Sequence, residues 1–149
     1  MLCWPGRDSR RGFTLIEVLI VITVIATLAI IVVPRLMSAS RRAKEANLRA
    51  NLKQIRDAIE RFEGDCAAWP PALSDVMAAN GTAISADLDG RGISVDRGGY
   101  SGPYLHTADG QPPKDVFTAS VDWNYNSSTG EIHSSSTLAA LDGTNYTTW

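Results

Sequence analysis

Between Phe13 and Val33 the chain runs 21 residues with only Thr14, Glu17, Thr23 and Thr27 interrupting an apolar sequence. At 1.5 Å per residue a helix of that length covers about 31 Å, which matches the hydrocarbon core of a bilayer. Its many Ile, Val and Thr residues weaken a helix in water. In lipid every backbone group must pair within the segment, so helix wins there. A secretory signal peptide carries a shorter apolar region, about 7–15 residues, before a small-residue cleavage site. Ser38-Ala39-Ser40 is a poor version of such a site, and the run is too long. The segment reads as a membrane span. A plain anchor accounts for its hydrophobicity and leaves Glu17 without a reason. A carboxylate costs roughly 2.5–3.5 kcal/mol at the centre of a span and less near the interface. An acid within a span is by default a functional group, and its partner should be sought.

Arg10, Arg11 and Gly12 stand just upstream, in a short leader with Arg7 and Asp8. The charge rule does not settle orientation, because Arg35, Arg41, Arg42 and Lys44 follow the span closely and outnumber the leader's arginines. The residues Arg11-Gly12-Phe13-Thr14-Leu15-Ile16-Glu17 carry a resemblance. They are similar to the prepilin processing motif of type IV pilins and type II secretion pseudopilins. The resemblance implies cleavage between Gly12 and Phe13 by a membrane peptidase with a cytoplasm-facing site. The same enzyme would N-methylate Phe13, the new amino terminus. Glu17 takes the place of the family's glutamate at the fifth mature position, and Pro34 that of its helix-kinking proline.

Cleavage would create an ammonium at Phe13, about 6 Å along a helix from Glu17 and on one face. A lone subunit would then hold two poorly solvated charges. When helices associate, the Glu17 of one can meet the Phe13 amine of its neighbour, which is the intersubunit role the resemblance implies. Packing in lipid lacks a hydrophobic drive between helices, so one charge pair can set axial register. A carboxyl snorkelling to the interface, or protonated within the membrane, is the alternative.

Pro34 removes a backbone donor and predicts a kink as the helix leaves the bilayer. Helical periodicity resumes from Ser40 to about Glu63, with Leu48, Leu52, Ile55, Ile59 and Phe62 at spacings of four, three, four and three. This stripe suits a stalk packed on a head, in a filament core, or both. Gly64 is the expected stop signal.

After Gly64 the composition shifts toward Gly, Ser, Thr, Asn, Asp and Pro. Asp65-Cys66-Ala67-Ala68-Trp69-Pro70 resembles the point where pilin-like chains leave the long helix. A short helix is predicted over 71–79, closed by Asn80-Gly81. The stretch through Gly102 reads as loop. Val121–Tyr125 alternates apolar and polar, Ser127–Gly130 offers a turn, and Glu131–His133 is the return strand. Trp69, Leu73, Val76, Tyr104, Phe117, Val121, Trp123, Tyr125 and Ile132 are the candidate core, marginal without the helix by surface-to-volume scaling.

Residues 13–63 carry eight Lys/Arg against five Asp/Glu, and residues 64–149 carry three against ten. An acidic head argues against nucleic acid. It could steer heads toward the basic stalks of neighbours, though solvated acidic surface is the plainer reading. Cys3 would leave with the leader, so Cys66 has no intrachain disulfide partner and reads as a small buried residue. His106 and His133 lack companions at metal-ligand spacing. Asp87-Leu88-Asp89-Gly90-Arg91-Gly92, with Asp96 beyond, hints at a calcium loop but lacks a third ligand position and a terminal Glu. No metal and no cofactor are expected, with calcium in the head as the alternative this pattern leaves open. No nucleophile–base pair or phosphate-cradling loop is present, so the expectation is not an enzyme.

The expected fold is α+β and pilin-like, a long N-terminal helix packed on a small antiparallel β-sheet head. Its parts are a leader (1–12), a transmembrane and assembly helix (13–34), an amphipathic stalk (35–63) and a head (64–149). The expected function is a structural subunit of a type II secretion pseudopilus. A type IV pilus subunit for adhesion, motility or DNA uptake is the first alternative, and a non-assembling membrane-anchored binding domain the second. Implied partners are a prepilin peptidase and methyltransferase, identical and related subunits, an inner-membrane assembly platform and lipid. The implied location is the inner membrane, crossed once, with the head on the periplasmic side.

Overall fold

The computed structural model describes residues 13–149, so the leader 1–12, with Gly12, lies outside the described residues. One helix, α1, runs from Leu15 to Cys66 and continues through residue 34. Beyond it come 3-10 turns at Leu73–Met77, Gly81–Ala83 and Tyr146–Thr148. Two short strands, β1 (Asn124–Tyr125) and β2 (Ile132–His133), form an antiparallel pair with Asn124 opposite His133 and Tyr125 opposite Ile132. This is the α+β, pilin-like combination of one long helix and a small antiparallel sheet. The chain divides into two compact units, Met1–Ser40 and Arg41–Trp149.

In the first unit, the apolar side chains from Phe13 to Val33 face outward on every side of α1. A helix apolar all round belongs in an apolar surrounding. Among the described residues it is the one helix long and apolar enough to cross a membrane. Its threonines turn inward on the backbone: Thr23 Oγ1 donates to the Leu19 carbonyl and Thr27 Oγ1 to the Val24 carbonyl, each at 2.8 Å. Neither hydroxyl is left bare toward lipid.

In the second unit the predicted stripe is the spine of the core. Leu48, Leu52, Ile55, Ile59 and Phe62 are all buried, joined by Cys66, Val76, Ile84, Val95, Leu105, Ile132, Ala140 and Tyr146. Trp69, Leu73, Tyr104, Phe117, Trp123 and Tyr125 pack partly buried against it, while Val121 stays outside the cluster.

Four local expectations change. The helix does not stop at Gly64; it ends at Cys66, where Ala67 adopts the left-handed conformation (φ 56°) and donates to the Glu63 carbonyl at 2.9 Å. The 71–79 helix shrinks to the 3-10 turn Leu73–Met77, because Asp75 turns back to accept from the Ala72 N–H at 2.9 Å and ties to Ser85. Asn80 opens the next turn instead of closing that one, accepting from the N–H groups of Thr82 and Ala83. Strand β1 keeps two residues because Trp123 N–H bonds to the Val121 carbonyl at 3.0 Å, a tight turn that breaks the extended backbone.

The hairpin turn falls where expected, closed by Gly130 N–H on the Asn126 carbonyl at 2.8 Å. Gly130 has φ 72°, and a Cβ there would meet the Trp69 ring at 2.5 Å. That position therefore needs glycine twice over.

Candidate functional site

Glu17 lies in the first turn of α1, exposed, and forms no ion pair among the described residues. The sequence places Thr14 three residues earlier, and this is a capping pair. Thr14 is the residue before the helix. Its Oγ1 accepts from the Glu17 N–H at 3.3 Å and its carbonyl from the same N–H at 3.1 Å. A carboxylate at this third helical position also faces the positive end of the helix dipole. Sequence reasoning gave Glu17 the Phe13 amine as its partner, within one chain or in trans; the Thr-x-x-Glu spacing is the signal for the Thr14 cap on the Glu17 N–H. Phe13 precedes the cap with 83% of its surface exposed. Gly12 falls outside the described residues, and α1 passes through residue 34.

The acidic loops of the head turn inward. Asp89 is buried, accepts from the backbone N–H groups of Arg91 and Ile93 at 2.8 and 2.9 Å, and pairs with the Arg91 guanidinium at 2.7 Å. Burial alone would raise its carboxyl, but these donors outweigh burial and hold it below the ordinary range. The Arg91 guanidinium also lies 5.6 Å from the Trp69 ring. Asp87 is taken by Arg97 at 2.7 Å. Both alternating carboxylates of the 87–92 loop thus already face arginines. Among the described residues no three His, Cys, Asp or Glu gather as a metal group.

Two further acids act the same way. Asp115 is fully buried and accepts from the Phe117 N–H at 2.8 Å and from the Ser134 hydroxyl. Glu45, on α1, accepts from the Leu141 N–H at 2.8 Å and the Tyr146 hydroxyl at 2.9 Å, tying the 138–146 segment to the helix. Cys66 is buried, and His133 Nδ1 bonds to the Trp149 backbone oxygen at 2.9 Å.

One flank of α1 within the second unit carries two cavities that share Arg56. The larger, about 320 Å³, is lined by Arg49, Leu52, Arg56 and Trp149, and the smaller, about 220 Å³, reaches Trp69 and Glu131. Arg56 donates to the carbonyl oxygens of Ile132 and Trp149, and the Arg49 guanidinium lies 4.1 Å from the centre of the Trp149 ring. None of this brings a nucleophile to a base, and the groups gathered here position chain segments.

Comparison with known proteins bears directly on the N-terminal arrangement. Residues 7–33 match a family model described as a prokaryotic N-terminal methylation motif. The chain is 30% identical over 125 residues to the type II secretion system core protein G of Pseudomonas aeruginosa, covering 78% of this chain and 87% of that one. The protein of the same name from Klebsiella pneumoniae is 31% identical over 93 residues, covering 62% and 64%. The type IV wide pilus major component of Thermus thermophilus is 42% identical over 57 residues, covering 38% and 44%. No solved structure matches the chain. An apolar helix opening on a capped Glu17, a methylation motif across its start and a match covering most of both chains lead to one conclusion: this chain belongs to the type II secretion system core protein G family, membrane-anchored, pilin-like structural subunits.

Proposed function

We propose that the chain is a subunit of a type II secretion pseudopilus, held in the inner membrane with its head on the periplasmic side until it polymerises. A prepilin peptidase cuts between Gly12 and Phe13 and methylates the new amine. The Glu17 carboxylate of one subunit then meets the Phe13 amine of the next, with an inner-membrane platform feeding subunits into the filament. The observation that carries this reading is Glu17 itself, exposed on the apolar span of α1 with no ion pair among the described residues. Its place in the helical first turn lowers the cost of keeping the charge until a partner arrives.

Intact mass and N-terminal sequencing of the membrane-purified protein test the reading. A chain starting at N-methylated Phe13 is the expected result, and one starting at Met1 or after Ser40 overturns it. Glu17→Ala should insert normally and lose filament assembly; normal filaments from that variant would remove Glu17 from the mechanism. A type IV pilus is the second reading, favoured by the 42% identity to the Thermus pilus component. Deleting the gene separates the two, since loss of secreted proteins marks the first and loss of surface pili the second.

A further inference from the structure

On the stalk half of α1, Arg49 pairs with Asp142 at 3.7 Å and Arg56 bonds to backbone carbonyls, while Arg42 and Lys53 form no ion pair among the described residues. At about 100° per residue, Arg42, Arg49, Lys53 and Arg56 fall within about 60° of one another, a basic run that ends where Asp57 and Glu60 follow on the same side. Asn51 lies about 140–180° round the helix from three of them, Arg42, Lys53 and Arg56. There Asn51 Nδ2 donates to the Lys114 carbonyl at 3.1 Å, which fixes the 109–122 loop to the opposite flank. That loop carries Asp109, Asp115 and Asp122 against the single Lys114, a net of −2. Asp115 is spent inside the fold, whereas Asp109 and Asp122 are exposed and form no ion pair among the described residues. On the other flank Arg42 and Lys53 are likewise exposed and unpaired among the described residues.

We propose that the basic flank of α1 around Arg42 and Lys53 docks the acidic 109–122 loop of a second copy of this chain. The inference rests on the polymer reading above and adds the surface by which heads engage. Two complementary faces on opposite sides of one subunit cannot satisfy each other within that subunit. They make a head-to-tail contact, and head-to-tail contacts that do not close into a ring continue as an open helical filament. A face that paired with itself would instead stop at a dimer. Charge complementarity of this kind fixes register and suppresses wrong partners more than it adds raw affinity. The contact therefore complements the Glu17–Phe13 pairing, which acts in the membrane.

The test uses the full-length chain in cells that process and assemble it, with sheared filaments quantified against processed subunit. The double variant R42E/K53E should cut filament yield about tenfold with processing and membrane content unchanged. D109K/D122K should do the same, and combining all four substitutions should restore filaments. Lys53→Cys and Asp122→Cys in one chain should give, on oxidation, a covalent ladder extending beyond dimers. Wild-type yield from R42E/K53E, no rescue in the quadruple variant, or cross-linking that stops at dimers overturns the proposal. So does a variant that assembles normally but no longer moves cargo, which would assign the flank to another protein. Absence of filaments from the wild-type chain overturns the polymer reading and this inference with it.

Discussion

At the scale of single residues, burial decides what the titratable groups of the head can do. Cys66 sits at the end of α1 with its thiol enclosed by the core. Burial first, then the nearby carboxylates of Asp65 and Asp96, push the thiol from 9.0 up to about 11. Tyr100 is pushed up to about 12, again chiefly by burial. Each group binds its proton more tightly folded than unfolded, so its share of stability is complete below its ordinary pKa. That share is lost as pH rises through the folded value. The head should therefore hold its melting temperature up to about pH 9 and lose it steeply toward about pH 11, followed by thermal melts across an alkaline series. Cys66 should resist thiol reagents at neutral pH and react fully in denaturant. Rapid labelling of the native protein would show that the thiol is not enclosed.

At the scale of the helix, the end of α1 uses residues that local propensity would not choose. Gly64 lies inside α1 with open space where a Cβ would go. Ala67, the left-handed residue that ends the helix, has a side chain the conformation disfavours. Gly64→Ala should stabilise the protein by about 0.5–1 kcal/mol. Ala67→Gly should add about 1 kcal/mol by relieving the left-handed backbone. Chemical denaturation followed by tryptophan fluorescence measures both, and destabilisation by either would place the helix end elsewhere. The sequence announced the apolar span and the stripe from Leu48 to Phe62 because periodicity reports burial directly. It also announced the Ser127–Gly130 turn, whose glycine and small polar residues have few other uses. The helix end was not legible, since Gly64 is the better left-handed residue and tertiary packing of Cys66 overrides it. The burial of Tyr146 was equally hidden, because its partner Glu45 lies 101 residues away.

At the scale of the head, the question is what replaces a large sheet. Only four residues are in strands, and no disulfide is available to the buried Cys66 among the described residues. The loops are held by buried acids, each satisfied by several donors: Asp75 on Ala72 and Ser85, Asp89 on Arg91 and Ile93, Asp115 on Phe117 and Ser134. Part of the head's negative charge is thus internal framework rather than solvated surface. The same arrangement bears on calcium. A divalent ion in the 87–92 loop would have to displace the Arg91 guanidinium from Asp89, the Arg97 guanidinium from Asp87, or both. Desolvating Asp89 without a cation leaves a buried unpaired charge, which costs about 3–5 kcal/mol. Arg91 is therefore the cation on which the loop depends. Arg91→Gln should lower the melting temperature markedly, while adding calcium or a chelator should leave the wild-type melt unchanged. If chelation alone destabilised the wild type, the metal and not the arginine would be the partner of Asp89.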